Sequence, residues 1–211
     1  MNRPTPETKE KDLRQTLLEA VIAETAEFGH AGVTEERILR KAGVSRPWFL
    51  SQFADKEAAI EAAFQWRFDH YIGRLRQTCE LQPSWPLKVK VGIGVTLDMA
   101  AAEPDEARFL LETMAGSWTA SGGELDSRDR LARLLVAGRT ATARGAELPG
   151  LLEPALVGGI ASVVAAQLRA GEARRLPALA PELVELTLTP YLGPEEAAEV
   201  ARRPRPRPAD R

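Results

Sequence analysis

Cysteine, histidine and aromatic residues are scarce in this chain of 211 residues, and each scarcity excludes something. One cysteine, Cys79, rules out an intrachain disulfide and fits a reducing cytoplasm. Neither histidine, His30 or His70, has a second His or Cys at ligand spacing, so no metal site is expected. Aromatics make up 6% while Ala, Leu and Glu abound, a balance that favours helices over sheets. No apolar run is long enough to span a membrane. The start, MNRPTPETKEKD, has no signal-peptide core, so a cytoplasmic location is expected. Ser121 and Ser162 lie in no nucleophile elbow, and Gly92-Ile93-Gly94 lacks the rest of any phosphate-binding fingerprint. Nothing points to catalysis, and no cofactor is expected.

What is present is concentrated in residues 34–57, TEERILRKAGVSRPWFLSQFADKE. Two short helical patterns meet at Ala42-Gly43. Ala42 is small enough for a close helix crossing, and Gly43 can take the positive φ of a sharp turn. Ser45 is placed to N-cap the next helix, with Pro47 in its first turn, where a missing N–H is harmless. Val44 and Phe49 have the spacing of a hydrophobic staple. These signals agree on a helix-turn-helix, whose second helix enters a DNA major groove. A plain helical hairpin would share the glycine turn but has no use for the local charge. Between residues 37 and 56 stand five basic residues (Arg37, Arg40, Lys41, Arg46, Lys56) against one acid, Asp55. That patch can face phosphates although the whole chain carries a net charge of −2.

Phe49 and Phe53, four apart, must point inward together. Rotating by ~100° per residue puts Pro47, Trp48 and Ser51 on the opposite side, flanked by Leu50 and Gln52. Arg46 can swing to a guanine edge or a phosphate. Lys56, at the first position of the next helix, adds its charge to free backbone N–H groups and forms a phosphate clamp. Thr34 and Ser45 close the DNA-contacting set.

Residues 9–63 resemble the N-terminal domain of the tetracycline-repressor-type (TetR) transcriptional regulators. The matching stretches are AEFGHAGVT (26–34), ILRKAGVSR (38–46), then Phe49, Phe53 and ADKEA (54–58). Residues 155–193 resemble the ligand-binding and dimerisation half of such proteins. The chain departs from the pattern at Leu50 and Gln52, where the family usually carries Tyr and His, and at Trp48, usually small or polar. The resemblance implies an all-α protein that binds double-stranded operator DNA as a homodimer and answers to a small-molecule effector.

The expected organisation is an N-terminal arm (1–8), a helix-turn-helix domain (9–56), a helical effector and dimerisation domain (57–200) and a disordered Arg/Pro tail (201–211). Helix one, residues 9–28, presents Leu13, Leu17, Val21 and Phe28 to one core and stops at Gly29. Helix four, residues 55–80, buries Ile60, Phe64, Tyr71, Ile72 and Leu75. Residues 87–99, LKVKVGIGVTLDM, alternate with period two like a strand. A lone strand has nothing to pair with, and the resemblance implies a helix, so a helix is expected there. Further helices are expected at 105–116, 124–143, 151–170, 181–192 and 194–203.

The bulky residues Trp85, Met99, Phe109, Met114 and Trp118 are candidates to line a cavity for an apolar or aromatic effector, with His70 to orient a polar group. Core filling is the competing explanation for the same residues. Helix 151–170 is apolar on more than one face, so Leu156, Ile160, Val164 and Leu168, with Leu183 and Leu186 of the following helix, are expected to form a two-fold dimer interface. An effector lodged between helix 55–80 and segments 87–99 and 105–116 would tilt that helix and misalign the DNA heads. The alternative is a helical small-molecule-binding protein without specific DNA binding.

Overall fold

The computed structural model describes residues 6–116 and 127–204. Among them the regular elements are helices and short 3-10 turns, with no strand. The chain forms two compact units. The first comprises Met1–His70 and Asp105–Thr113, the second Tyr71–Pro104 and Met114–Arg211. The first is thus larger than the 9–56 stretch that carries the motif.

In the first unit, α1 (Pro6–Gly32) is interrupted at Gly29, whose φ of 70° and ψ of 168° are non-helical. The break expected at this glycine is there, and one further turn follows it. α2 (Glu35–Ala42) and α3 (Arg46–Gln52) form the helix-turn-helix. The beginning of α4 (Lys56–Glu80) and most of α6 (Pro104–Gly116) complete the unit. Leu17, Val21, Ile38, Phe49, Phe64 and Phe109 are at most 1% exposed and make its core. Phe64 and Phe68 stack at 5.4 Å, the second an inward residue four positions on that belongs to the Ile60, Phe64, Ile72 stripe although the expected set lacks it. Phe28 departs from the expected core face. It is 37% exposed, and the Arg37 guanidinium lies 3.4 Å from its ring centroid, a cation–π contact at the surface.

In the second unit, α5 (Trp85–Ala102) packs against α10 (Ala180–Leu192), α11 (Pro194–Arg202) and the 3-10 turn Ala173–Leu179. Residues 87–99 are helical. Their strand-like alternation reflects a helix buried nearly all round, in which Val89, Lys90, Val91, Gly92, Ile93 and Gly94 are all covered. Without a wet face there is no 3.6-residue polar rhythm to read. Gly92 also has a steric reason: a Cβ there would lie 3.3 Å from Cys79 Sγ and 3.4 Å from Leu75 Cδ1 on α4. Burial pushes the Cys79 thiol up, and it donates to the Lys88 carbonyl. Buried Lys90 donates its ammonium to the carbonyls of Val200 (2.7 Å), Ala201 (2.8 Å) and Arg203, closing the C-terminal end of α11.

The helix expected over 124–143 is shorter and broken. α7 spans Ser127–Val136 and α8 spans Gly138–Ala141; residues 124–126 lie outside the described residues. Gly138 is where a Cβ would fall 2.3 Å from the Trp85 ring, so the indole occupies the room a side chain would need. α9 (Leu152–Arg169) is tied to α8 and α10 by a buried polar cluster. Arg139 Nε and Nη2 reach the two carboxylate oxygens of Glu153 at 2.8 and 2.9 Å, and the Tyr191 hydroxyl donates to Oε1 at 2.8 Å. Arg139 also donates to the carbonyls of Leu148 and Pro149. Trp85 packs on Tyr191 with ring centroids 4.7 Å apart and the rings tilted by 57°. The tail beyond residue 204 lies outside the described residues.

Candidate nucleic-acid interface

The turn between α2 and α3 is built as its residues demand. Thr34 N-caps α2, its side chain accepting from the Arg37 amide at 3.3 Å, and Glu35 and Glu36 occupy the first turn while Arg40 and Lys41 occupy the last. Gly43 ends the helix at φ 67°, ψ 30°, a left-handed conformation that only glycine adopts without strain. Its amide and that of Val44 return to the Leu39 carbonyl. Ser45 caps α3, accepting from the Trp48 amide at 3.4 Å, with Pro47 in the first turn. Phe49 is fully buried, Phe53 nearly so, and their rings meet at 5.8 Å.

With those two rings inward, α3 exposes Arg46, Pro47, Leu50 and Ser51, while Trp48 and Gln52 are half-buried. Leu50, placed by the helical rotation on a flank and left out of the DNA-contacting set, is 48% exposed. Trp48, placed opposite the core, is more covered than Leu50. Rotation from two buried rings gives direction about the helix axis; it does not say which flank the neighbouring helices cover.

The basic patch is paired more than the residue count suggested. Arg37 and Lys41 both meet Glu24 on α1, at 3.0 and 3.3 Å. Burial works to raise the Glu24 carboxyl, but its bonds to Arg37 and Lys41 outweigh this and hold it below the usual carboxylate range. Arg46 Nε lies 2.8 Å from Glu35 Oε1. Lys56 turns back, donating to the carbonyls of His30 and Val33 at 3.2 and 3.1 Å and pairing with Glu57 at 3.4 Å. The expected free ammonium clamp is therefore corrected: Lys56 closes the end of α1. The pairing acids Glu24, Glu35 and Glu57 all fall outside the 37–56 window. Arg40 remains exposed on α2.

His30, just past the Gly29 break, holds Thr113 of α6 at 2.9 Å. Arg67 of α4 is ion-paired with Glu106 of α6. Both contacts lie within the first unit, so α6 is fastened to α1 and α4, which share that unit with the motif. The sequence offered no sign of either, because the partners are 83 and 39 residues apart in a chain read by local periodicity.

The residues expected to line an effector cavity are divided between the two units. Phe109 fills the core of the first unit, and His70 of the same unit is exposed on α4. In the second unit, Trp85 packs on Tyr191 and Met114 is buried, while Met99 is half-buried. Trp118 lies outside the described residues. For His70 and Trp85 the expectation is corrected: one faces solvent, the other is core. An open groove of about 880 Å³ lies along Ser84, Leu87, Leu192, Glu195, Glu199 and Arg203, and none of the expected effector residues lines it.

The residues expected at a dimer interface also divide. Val164, Leu168 and Leu183 are 3–5% exposed and belong to their own chain's core, so they are corrected. Leu156 and Ile160 are half-buried on α9, and Leu186 is 58% exposed on α10. A helix as apolar as α9 carries residues for both an inner and an outer face, and composition alone does not sort them.

The chain has the fold of the TetR-type transcriptional regulators. It is similar to a TetR-like regulator from Rhodococcus sp. RHA1, with a TM-score of 0.71 and 20% identity over 89% of this chain and 97% of that one. It is similar to the transcriptional regulator FadR from Bacillus subtilis in complex with stearoyl-CoA, with a TM-score of 0.65 and 17% identity over 83% and 98%. It is also similar to RolR in complex with resorcinol, with a TM-score of 0.60 and 17% identity over 95% and 98%. No protein-family profile matches the chain, and no curated protein matches it in sequence. Among the described residues, no helix is long and apolar enough to cross a membrane.

Proposed function

We propose that this protein is a cytoplasmic, ligand-responsive transcriptional regulator, a repressor that binds a palindromic operator as a homodimer and is released by a small apolar or aromatic effector. The observation that carries this reading is the helix-turn-helix itself. Both helices are capped, Gly43 makes the turn, and α3 leaves Arg46, Pro47, Leu50 and Ser51 exposed. Fold similarity over nearly the whole length of regulators supports it, two of them bound to stearoyl-CoA and resorcinol. The N-terminus of α4 near Lys56, together with Thr34 and Arg40, is assigned to phosphates, with Arg46 drawn from Glu35 when DNA arrives.

Dimerisation rests on Leu156 and Ile160, half-buried in the single chain, and on the exposed Leu186. A Cβ placed on Gly158 or Gly159 would meet nothing within 4 Å, so a partner helix can approach closely. Two copies would present two α3 helices to successive major grooves about 34–36 Å apart. The effector must bind the DNA-competent and released arrangements with different affinity, and DNA must then weaken the effector by the same factor.

Selection of full-length protein against a randomised duplex library tests the reading. Enrichment of a palindrome with half-sites one helical turn apart is expected. Enrichment of no sequence would instead favour a helical small-molecule-binding protein without specific DNA binding.

A further inference from the structure

We propose that α3 reads its operator chiefly through the 5-methyl groups of thymines, with Leu50 as the specificity-determining contact. This rests on the DNA-binding reading above and names the chemistry of that same surface.

The polar groups around α3 are largely committed within the protein. The Ser51 hydroxyl donates to the Trp48 carbonyl at 2.6 Å, so its proton is not free for a base edge. Ser45 and Thr34 hydroxyl oxygens accept backbone amides as caps. The Lys56 ammonium is held by two carbonyls. Arg46 is tied to Glu35, although its side chain is 70% exposed and such a surface pair yields readily. Arg46 can therefore be recruited, but it is one flexible cation in the first turn of the helix.

Beyond Arg46 and the committed Ser51 hydroxyl, with Gln52 half-buried at its end, what α3 presents outward is apolar. Pro47 and Leu50 stand three apart on one face and both are exposed, Leu50 to 48%. A single exposed leucine is ordinary on a protein surface. Here it adjoins an exposed proline on the helix that the turn holds outward, between two capped ends, with its own hydrophobic residues Phe49 and Phe53 already buried. Leucine and proline side chains offer no donor or acceptor. In a major groove the apolar group they can meet is the thymine methyl, which A·T pairs carry and G·C pairs lack.

The test uses the full chain and the duplex enriched from the randomised library. Each thymine is replaced singly by deoxyuridine, which removes the methyl and keeps every hydrogen bond. Burying one methyl is worth about a fourfold change in affinity. We expect at least one thymine per half-site where deoxyuridine weakens wild-type binding by about that factor. At that position Leu50→Ala should bind both duplexes equally, whereas Leu50→Met, still apolar, should keep the preference. The inference is overturned if every deoxyuridine duplex binds the wild type within twofold of the parent, or if Leu50→Ala retains the full preference. Failure of the library to enrich any sequence would overturn the DNA-binding reading itself, which is a separate result.

Discussion

Arg46 meets Glu35 at 2.8 Å in the first unit, and Arg139 meets Glu153 at 2.8 Å in the second, yet the two contacts do different work. The first joins side chains that are 70% and 20% exposed; the second joins side chains that are 24% and 3% exposed. The outer pair meets through Arg46 Nε, faces water and is screened by salt, so it holds little free energy and can be surrendered to a phosphate. The inner pair is bidentate and shares its carboxylate with Tyr191, while Arg139 also satisfies two carbonyls. Removing one member there leaves buried groups unpaired. Identical chemistry thus serves an exchangeable surface in one unit and a fixed core in the other, and burial decides which.

The sharpest way to break this contrast is to remove each carboxylate. Glu153→Ala should lower unfolding free energy by about 3 kcal/mol, because the Tyr191 hydroxyl and the Arg139 guanidinium lose their partner. Urea midpoints of this variant and of Glu35→Ala measure both. An equal effect would mean that burial does not separate the pairs.

Gly138→Ala follows in size. Its Cβ would fall 2.3–2.7 Å from the Trp85 ring, so the indole must shift off Tyr191. A loss of about 2 kcal/mol is expected, the range for overpacking a core. Near-UV circular dichroism should report the displaced tryptophan. An unchanged spectrum and midpoint would show that the cluster is looser than its geometry.

Acid should separate the regions as well. Burial works to raise the Glu153 carboxyl, but the hydrogen bonds from Arg139 and Tyr191 outweigh it and the folded value is lowered. Its stabilisation is therefore present above the ordinary value of 4.5 and lost as pH falls through the folded value below it. His30 behaves differently. Burial lowers its folded value below 6.5; Glu112 opposes this and Lys56 reinforces it. The unfolded chain binds the proton first, so this contribution is complete above pH 6.5 and declines as pH falls below it toward the folded value. Urea midpoints from pH 8 down to about pH 3 should therefore show a shallow early loss that His30→Gln flattens, followed by a steeper one below 4.5 that Glu153→Gln reduces. Unaltered pH profiles in both variants would remove these groups as the source.

The smallest effect expected is Glu35→Gln. It should change stability by less than about 1 kcal/mol and raise affinity for the selected duplex by up to about fivefold at low salt, since Arg46 no longer has a protein carboxylate to leave. Fluorescence anisotropy over a salt series measures it. Weaker binding would mean that Glu35 orients Arg46 for DNA instead of competing with it.

Much of the first unit was legible because its signals are local. Thr34, Gly43, Ser45 and Pro47 act within a turn of their own position, and a capped helix-turn-helix can be read from a few residues. The direction of Phe49 and Phe53 follows from helix period alone. The charge patch was not legible in the same way, since Glu24 and Glu35 approach its cations from outside the counted window. Residues 87–99 show the opposite failure: a helix covered on all sides loses the polar rhythm that marks a helix. Bulk is what marks the effector candidates in the sequence, and bulk does not distinguish Phe109 in a core from a cavity wall.

Sequence by itself determined the all-helical class, the place and capping of the DNA-reading motif and the apolar character of α9. These follow from backbone propensity, short-range hydrogen bonding and composition, which act between residues near in the chain. Tertiary structure decided which apolar residues of α9 and α10 are core and which remain outside. It turned Lys56 inward, paired His30 with Thr113, assembled Arg139, Glu153 and Tyr191, and left Leu50 exposed on α3. Each of these depends on which elements cover a residue from a distance along the chain, and burial of that kind is a property of packing that no local pattern encodes.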